Sequence, residues 1–134
     1  MAANSLLAGA TQILCFIARV GDSTTSAAIA KSLKTNPVVV RRILKSLERA
    51  GIVDLRAGRH GGVALRRPAA EITLEDVHKA VGGDLFALRP TGNPRCPIYR
   101  AMAGSLTPVF DAASEAVDQT FRRTKLAALL AAID

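Results

Sequence analysis

The chain has 134 residues, of which 49% are hydrophobic and only 4% aromatic, and its formal net charge at neutral pH is +7. This length suits one domain, or one small domain with an extension, whose core is built mostly from α-helices. No run of about 18 apolar residues and no cleavable leader is seen, so the sequence predicts neither membrane insertion nor secretion and indicates a cytoplasmic protein.

The positive charge is concentrated in the first half of the chain. Residues 1–68 contain eleven Lys and Arg against three Asp and Glu, whereas residues 69–134 contain seven against eight. A basic surface alone is often only a solubility device, but a concentrated positive field also attracts polyanions. Nucleic acid becomes the favoured partner if the same residues form a surface suited to it.

Two helices are predicted in the first 33 residues. The first runs from Ser5 to Val20, and Thr24, Thr25 or Ser26 can cap the short second one. The apolar stripe of the first helix comprises Leu6, Ala10, Ile13, Ile17 and Val20.

The third helix is basic and amphipathic. Asn36 is a good N-cap, Pro37 fits the first helical position, and Ala50-Gly51 supplies the stop. Its apolar face comprises Val40, Ile43, Leu44 and Leu47, and its basic residues off that face are Arg41, Arg42, Lys45 and Arg49. Two short helices joined by a brief turn, the second of them basic, are typical of a helix-turn-helix.

A β-hairpin is predicted directly after this helix. Residues 52–55 form its first strand, residues 58–62 its glycine-rich turn and residues 63–65 its return strand, before Pro68 ends the unit. A hairpin in this position is the wing of a winged helix-turn-helix. The predicted fold is therefore mostly α with a small β-hairpin.

The second half of the chain is predicted to support or control this unit. Thr73 can cap a helix over residues 74–81, residues 82–95 form a Gly- and Pro-rich loop, and a long helix spans residues 97–123, in which Pro108 either introduces a kink or starts a second half. Residues 126–133 add a short apolar helix. The long helix carries more apolar surface than one small domain covers, which indicates a subunit interface; the alternative is packing only onto the first helix.

The chain resembles the Rrf2 family of winged helix-turn-helix transcriptional regulators over nearly its whole length. The similar stretches are the first helix, TTSAAIAKSLKTNPVVVRRILKSLERAGIV, GRHGGVAL, EITLEDVHKAVGG and a Cys-Pro pair that opens the long helix. The resemblance implies a homodimer that crosses its long helices and binds a palindromic operator. It also implies a repressor that releases DNA on a redox, iron-sulfur or metabolic signal.

One departure from the family is informative. Cluster-binding members carry three cysteines in the loop before the long helix, and this chain has only Cys96 there. An iron-sulfur cluster needs about four ligands, mostly thiolates, so we predict no cofactor. His60 and His78 lack a Cys/His ligand spacing, so no metal site is predicted, and no nucleophile and base arrangement indicates an enzyme.

The residues expected to bind double-stranded DNA fall into three groups. Candidates for base edges in the major groove, at the start of the third helix, are Asn36, Val38, Val39, Arg41 and Arg42. Lys34 and Lys45 are expected to hold phosphates. Arg59 and His60, at the tip of the wing, are expected to approach the adjacent minor groove. For each basic residue alone, a solvated surface charge is the plain alternative.

A thiol at Cys96 is the candidate sensor. It precedes Pro97 at the start of the long helix, with Arg95 and Arg100 nearby, and a helix N-terminus with neighbouring cations favours thiolate. The alternative is an inert cysteine packed under the loop. Cys15 is interpreted as a small buried hydrophobe, and a disulfide between the two cysteines stays open.

We accordingly divide the chain into a winged helix-turn-helix DNA-binding region (residues 1–68), a connecting helix and sensor loop (69–95) and a region of dimerisation helix and C-terminal helix (96–134). The predicted function is a homodimeric repressor that responds through Cys96. Its effector is left open between an oxidant, an electrophile and a metabolite held by the loop. The alternatives are a sequence-indifferent architectural DNA binder and a protein-interaction or small-molecule adaptor that does not bind DNA.

Overall fold

The computed structural model describes residues 3–21, 24–58, 61–82 and 92–133. Within these ranges it contains six α-helices, one two-stranded antiparallel sheet and a 3-10 turn at Ala69–Glu71. In chain order the elements are α1 (Ala3–Val20), α2 (Ser26–Ser32), α3 (Pro37–Arg49), β1 (Val53–Arg56), β2 (Gly62–Leu65), α4 (Leu74–Val81), α5 (Pro97–Arg123) and α6 (Leu126–Ala131). The predicted fold class, mostly helical with one small hairpin, is confirmed.

Helix ends in the chain are set by local hydrogen bonds that the sequence predicts. The hydroxyl of Thr25 accepts a hydrogen bond from the backbone N–H of Ala28, and Oδ1 of Asn36 accepts one from the N–H of Val38 at 2.8 Å. Thr73 and Asp76 form a reciprocal capping box at the start of α4. Each cap satisfies donors that the first turn of a helix otherwise leaves unpaired.

The hairpin is fastened to the start of α2. Its strands pair in antiparallel register from Val53 with Leu65 to Arg56 with Gly62. The N–H of Val63 also donates to the carbonyl oxygen of Thr24 at 2.9 Å. This extra bridge joins the β2 edge of the hairpin to the segment directly before α2.

The hydrophobic core extends across both halves of the chain. Ile13 of α1, Leu47 of α3 and Ile52 before β1 are fully buried together with Ile72 and Leu126, which lie beyond residue 68. The helix-turn-helix is therefore completed by α4 and α6 rather than by residues 1–68 alone. The three-part division of the chain stays a prediction about roles and not about separate packing units.

Helix α5 presents an unburied apolar face. It has 27 residues, and none of them is buried. Its most exposed large apolar side chains, with their exposed fractions, are Ile98 at 73%, Met102 at 43% and Val109 at 59%. Pro108 lies inside one continuous helix and does not start a second one. The main contacts of α5 are with α4, so packing only onto α1 is not what the structure shows.

The C-terminal end of α5 is joined to α4 by an ion pair and by backbone hydrogen bonds, which we call the α4–α5 joint. The guanidinium of Arg122 donates to both carboxylate oxygens of Glu75, at 3.2 and 2.8 Å, and Nζ of Lys79 lies 3.6 Å from the same carboxylate. The N–H of Leu74 donates to the carbonyl of Thr124 at 2.8 Å. The side chain of Glu75 is only 11% exposed, so its charge depends on these partners.

The joint gives the stability of the fold a pH dependence. The hydrogen bonds from Arg122 lower the pKa of Glu75, against burial that raises it, and the charge of Lys79 lowers it further. A carboxyl whose folded-state pKa lies below its unfolded value, about 4.3, stabilises the fold above that pH and loses this contribution as the pH falls through the folded value.

We therefore expect Glu75→Gln to lower the urea midpoint of unfolding at pH 7, and the gap to wild type to close steadily once the pH falls below about 4.3. Urea titrations followed by circular dichroism at several pH values measure this gap. Glu71→Gln, which removes an exposed carboxylate from the neighbouring 3-10 turn, is the control. A gap of equal size at pH 7 and pH 3 would show that the charge of Glu75 contributes nothing.

None of the helices in the described ranges is long and apolar enough to cross a membrane.

Candidate nucleic-acid interface

The site is built on the turn between α2 and α3. The N–H of Thr35 donates to the carbonyl of Ala30 at 2.9 Å, and Lys34 takes a left-handed backbone conformation, with φ of +51°. This conformation reverses the chain within a few residues and leaves the side chain of Lys34 exposed. Because Asn36 then caps α3, the first turn of α3 begins at the surface of the molecule.

Helix α3 has one buried face and one basic exposed face. The buried residues are Val40, Ile43, Leu44 and Leu47. The side chains of Arg41, Arg42, Lys45 and Arg49 are exposed, and Val38 is 54% exposed in the first turn. Glu48 is the one acidic residue of this helix, so the exposed face carries a net positive charge. A helix of this kind can enter the major groove while its other face stays in the core.

Two of the predicted base-reading residues have structural tasks. Oδ1 of Asn36 is engaged in capping α3, and Val39 is half-buried and packs against the hydrophobic core. Val38, Arg41 and Arg42 are left as the predicted base-reading residues that are exposed and have no such structural contact among the described residues. That any of these three residues contacts a base remains a prediction.

A cleft of about 300 Å³ separates α3 from the hairpin, and we call it the wing cleft. Arg41 and Lys45 line it from α3, Arg56 lines it from the end of β1, and Ser26 lines it from the start of α2. Among the described residues that line it there is no Asp or Glu. The wing cleft therefore brings three cationic side chains together where α2, α3 and the hairpin meet, over a floor that includes Leu44, Leu55 and Val63.

The adjacent arginines of α3 lie on different sides of the helix. Arg41 lines the wing cleft, whereas Arg42 borders a separate groove beside Leu6 of α1 and Val81 of α4. Successive residues of an α-helix are about 100° apart around its axis, which accounts for the divergence. Sequence alone groups Arg41 with Arg42, but the structure gives the two side chains different surroundings.

The hairpin turn is restricted by its glycines. A Cβ atom on Gly61 would overlap the backbone carbonyl of Arg56, and Gly58 has a φ of +97°. Both positions therefore favour glycine. Arg59 and His60, the residues predicted for the minor groove, lie outside the described residues.

The two cysteines occupy different surroundings. Cys96 is the N-cap residue of α5, as the sequence predicts; it is half-buried, its side chain makes no capping hydrogen bond, and Arg95 and Arg100 beside it are exposed. Cys15 is half-buried against the core, and burial raises the pKa of its thiol, which keeps it protonated at neutral pH. Both are free thiols.

Sequence reasoning missed Ser26 and Arg56 as parts of the site. The sequence indicates Ser26 only as a cap for α2, and Arg56 is an isolated basic residue at the end of a strand. Their proximity to α3 depends on the pairing of Arg56 with Gly62 and on the bridge between Thr24 and Val63. No signal in a single sequence fixes this register.

The family model that describes Rrf2, an iron-dependent transcriptional regulator, matches residues 3–132. The donors of this chain do not fit an iron-sulfur cluster. Its two cysteines are Cys15, which packs against the core, and Cys96. In the part of the chain that the structure describes, no three His, Cys, Asp or Glu side chains lie close enough to hold a metal ion. A cluster needs about four ligands, mostly thiolates.

Relatives and solved structures agree with the family match. The chain is 38% identical over 117 residues to YwnA of Bacillus subtilis (strain 168), a protein named as an HTH-type transcriptional regulator, and the match covers 86% of each chain. A crystal structure described as a DNA-binding protein superposes with a TM-score of 0.78 at 32% identity, covering 93% of this chain and 98% of the other. Staphylococcus aureus CymR shares the fold at 19% identity, with a TM-score of 0.70 and 97% and 98% of the two chains covered. The chain belongs to the Rrf2 family of DNA-binding transcriptional regulators.

Proposed function

We propose that this regulator is a homodimeric repressor that binds a palindromic operator through α3 and the hairpin. The observation that carries the proposal is the exposed basic face of α3, fixed beside the hairpin by the bridge from Thr24 to Val63. Such a regulator acts in the compartment that holds its DNA, the cytoplasm. Family and relatives describe transcriptional regulators and no enzyme.

Recognition of the DNA sequence is assigned to the first turns of α3. Val38 suits contact with a thymine methyl group, and an arginine can bind guanine O6 and N7 together. Lys34 and Lys45 suit phosphates, which give affinity without sequence information. Arg59 and His60 keep their proposed place in the minor groove beside the major groove that α3 enters. Asn36 and Val39 contribute by fixing the start of α3.

Dimerisation is assigned to α5. Its apolar side chains, exposed in the single chain, are the surface that a second copy would cover, which supports an isologous contact between two α5 helices. Two α3 helices would then enter successive major grooves roughly 34–36 Å apart. Such a symmetric arrangement requires a palindromic operator.

Control of DNA binding is assigned to Cys96. Its thiol lies at the first residue before α5, at the junction between the proposed dimerisation helix and the rest of the chain. Oxidation of the thiol by a peroxide to sulfenic acid, with release of water or an alcohol, would add bulk and polarity at this junction and so disfavour the DNA-bound dimer; condensation of the sulfenic acid with a small thiol, with loss of water, would add more. The alternative is that Cys96 is an unreactive structural residue. The experiment that tests the proposed function also tests this alternative.

The experiment compares the affinity of the reduced protein for the duplex from its own promoter with that for a random duplex. It is repeated after mild peroxide, which forms sulfenic acid, or after diamide, which forms disulfides, and with Cys96→Ser. We expect roughly a thousandfold preference for the promoter duplex. We also expect that oxidation weakens binding by wild type and spares Cys96→Ser, while Cys15→Ser behaves as wild type.

Each alternative gives its own result. Equal affinity for the two duplexes, with the same steep salt dependence, indicates an architectural binder. No affinity at physiological salt indicates an adaptor. Specific binding that oxidation does not change leaves the regulator in place and makes Cys96 a structural residue, with a small-molecule effector as the remaining signal.

A further inference from the structure

The wing cleft places three cations from two separate elements around one space. Arg41 and Lys45 are four residues apart on α3 and so lie on the same side of the helix, and Arg56 approaches from the end of β1. None of the three forms a salt bridge at 4.0 Å or less within the described residues. Three cations with no ion-pair partner among the described residues suit an anion that comes from outside the chain.

The position of the cleft identifies that anion, given the proposed function. If α3 lies in a major groove and the hairpin turn reaches the adjacent minor groove, one strand of the duplex separates the two grooves. That strand must cross the surface between α3 and the hairpin, which is the wing cleft. We propose that the wing cleft seats a phosphate of this strand, held by Arg41, Lys45 and Arg56.

The shape of the cleft suits a backbone that approaches closely. Gly58, Gly61 and Gly62 line part of it from the hairpin and contribute no side chain there, beside Leu55, Arg56 and Val63. Ser26, from the start of α2, adds a hydroxyl donor, which DNA-binding proteins commonly use on phosphate oxygens. The cleft therefore combines positive charge, a hydrogen-bond donor and a stretch of backbone without side chains.

A phosphate in the wing cleft gives the neighbouring residues Arg41 and Arg42 different tasks. Arg41 becomes a phosphate contact that carries no sequence information, although its position at the start of α3 favours base reading. Arg42, outside the cleft, remains a base-reading candidate. Arg56, which sequence reasoning did not consider, becomes part of the interface.

The test uses the full chain with the promoter duplex and a mixed-sequence duplex over a range of salt concentrations. Arg41→Ala and Arg56→Ala should weaken binding to both duplexes by the same factor, on the order of tenfold. Each should also reduce the slope of log affinity against log salt by about 0.9 for every phosphate that the variant no longer neutralises, and by about twice that in a dimer.

Two matched variants sharpen the result. Arg41→Lys keeps the charge, so a phosphate site should retain most of its affinity and salt slope, whereas a bidentate guanine contact would not. Arg42→Ala removes the neighbouring charge outside the cleft and should reduce the preference for the promoter duplex. Arg123→Ala, at the exposed end of α5, controls for net charge, and circular dichroism confirms that each variant is folded.

Three outcomes would overturn the inference. Unchanged affinity and slope in Arg41→Ala and Arg56→Ala would show that the cleft holds no phosphate. Loss of promoter preference in Arg41→Ala, without a change in salt slope, would show that Arg41 reads a base. If wild type binds neither duplex, the proposed function fails together with the inference, and the wild-type titration alone identifies that case.

Discussion

Val109→Asp is expected to leave the chain folded, to convert the proposed homodimer into a monomer and to reduce affinity for the proposed palindromic operator by about 100-fold to 10,000-fold. Val109 is 59% exposed and lies in a helix without a buried residue, so an aspartate costs the single chain little. In a subunit interface the same carboxylate would lose its water without gaining a partner of opposite charge. Each half-operator is then bound separately.

Sedimentation velocity and operator titrations measure the two effects of Val109→Asp. Val20→Asp is the matched control, because Val20 is a similarly exposed valine, at 50%, on α1 rather than on α5. It should leave both the mass of the assembly and the operator affinity close to wild type. A Val109→Asp protein that sediments as a dimer would remove α5 from the proposed interface.

Leu126→Ala is expected to destabilise the DNA-binding unit although it lies 77 positions beyond the end of α3. Leu126 is 2% exposed in the same core as the buried residues of α1 and α3. Truncation of a buried leucine costs about 2–5 kcal/mol. That is a large part of the roughly 5–15 kcal/mol by which domains are usually stable. DNA binding should therefore disappear at a lower temperature than in wild type.

Urea unfolding and the temperature dependence of DNA binding measure this effect. Leu129→Ala is the matched control, because Leu129 is on the same helix but is half-buried and outside the core cluster. It should cost clearly less than Leu126→Ala. Equal destabilisation by the two variants would show that α6 contributes general apolar cover and no specific core packing.

The features of the fold that depend on neighbouring residues were predictable from the sequence. Asn36 and Pro37 define the start of α3, and Thr73 with Asp76 defines the start of α4, because a capping residue acts within three positions of itself. The position of Cys96 at the start of α5 follows in the same way from Pro97 after it.

The features that depend on distant pairing were not predictable. Glu75 and Arg122 are 47 residues apart, and each alone looks like an ordinary surface charge. Arg56 joins the wing cleft through the register of the hairpin, and Leu126 lies in the core next to Ile72, to whose carbonyl its N–H donates. One sequence contains no record of such long-range pairs. The wing-tip residues Arg59 and His60 stay predictions.

The α4–α5 joint makes α5 a lever whose fixed end is near Arg122. At about 1.5 Å per residue a helix of this length extends about 40 Å from that end. In a dimer built through α5, a rotation of about 5° at the joint would displace the far end by about 3.5 Å, close to the rise of about 3.4 Å for one base pair. In such a dimer the ion pair of Glu75 with Arg122 and the hydrogen bond from Leu74 to Thr124 would together restrict this rotation, and with it the range of operator spacings that two α3 helices could reach.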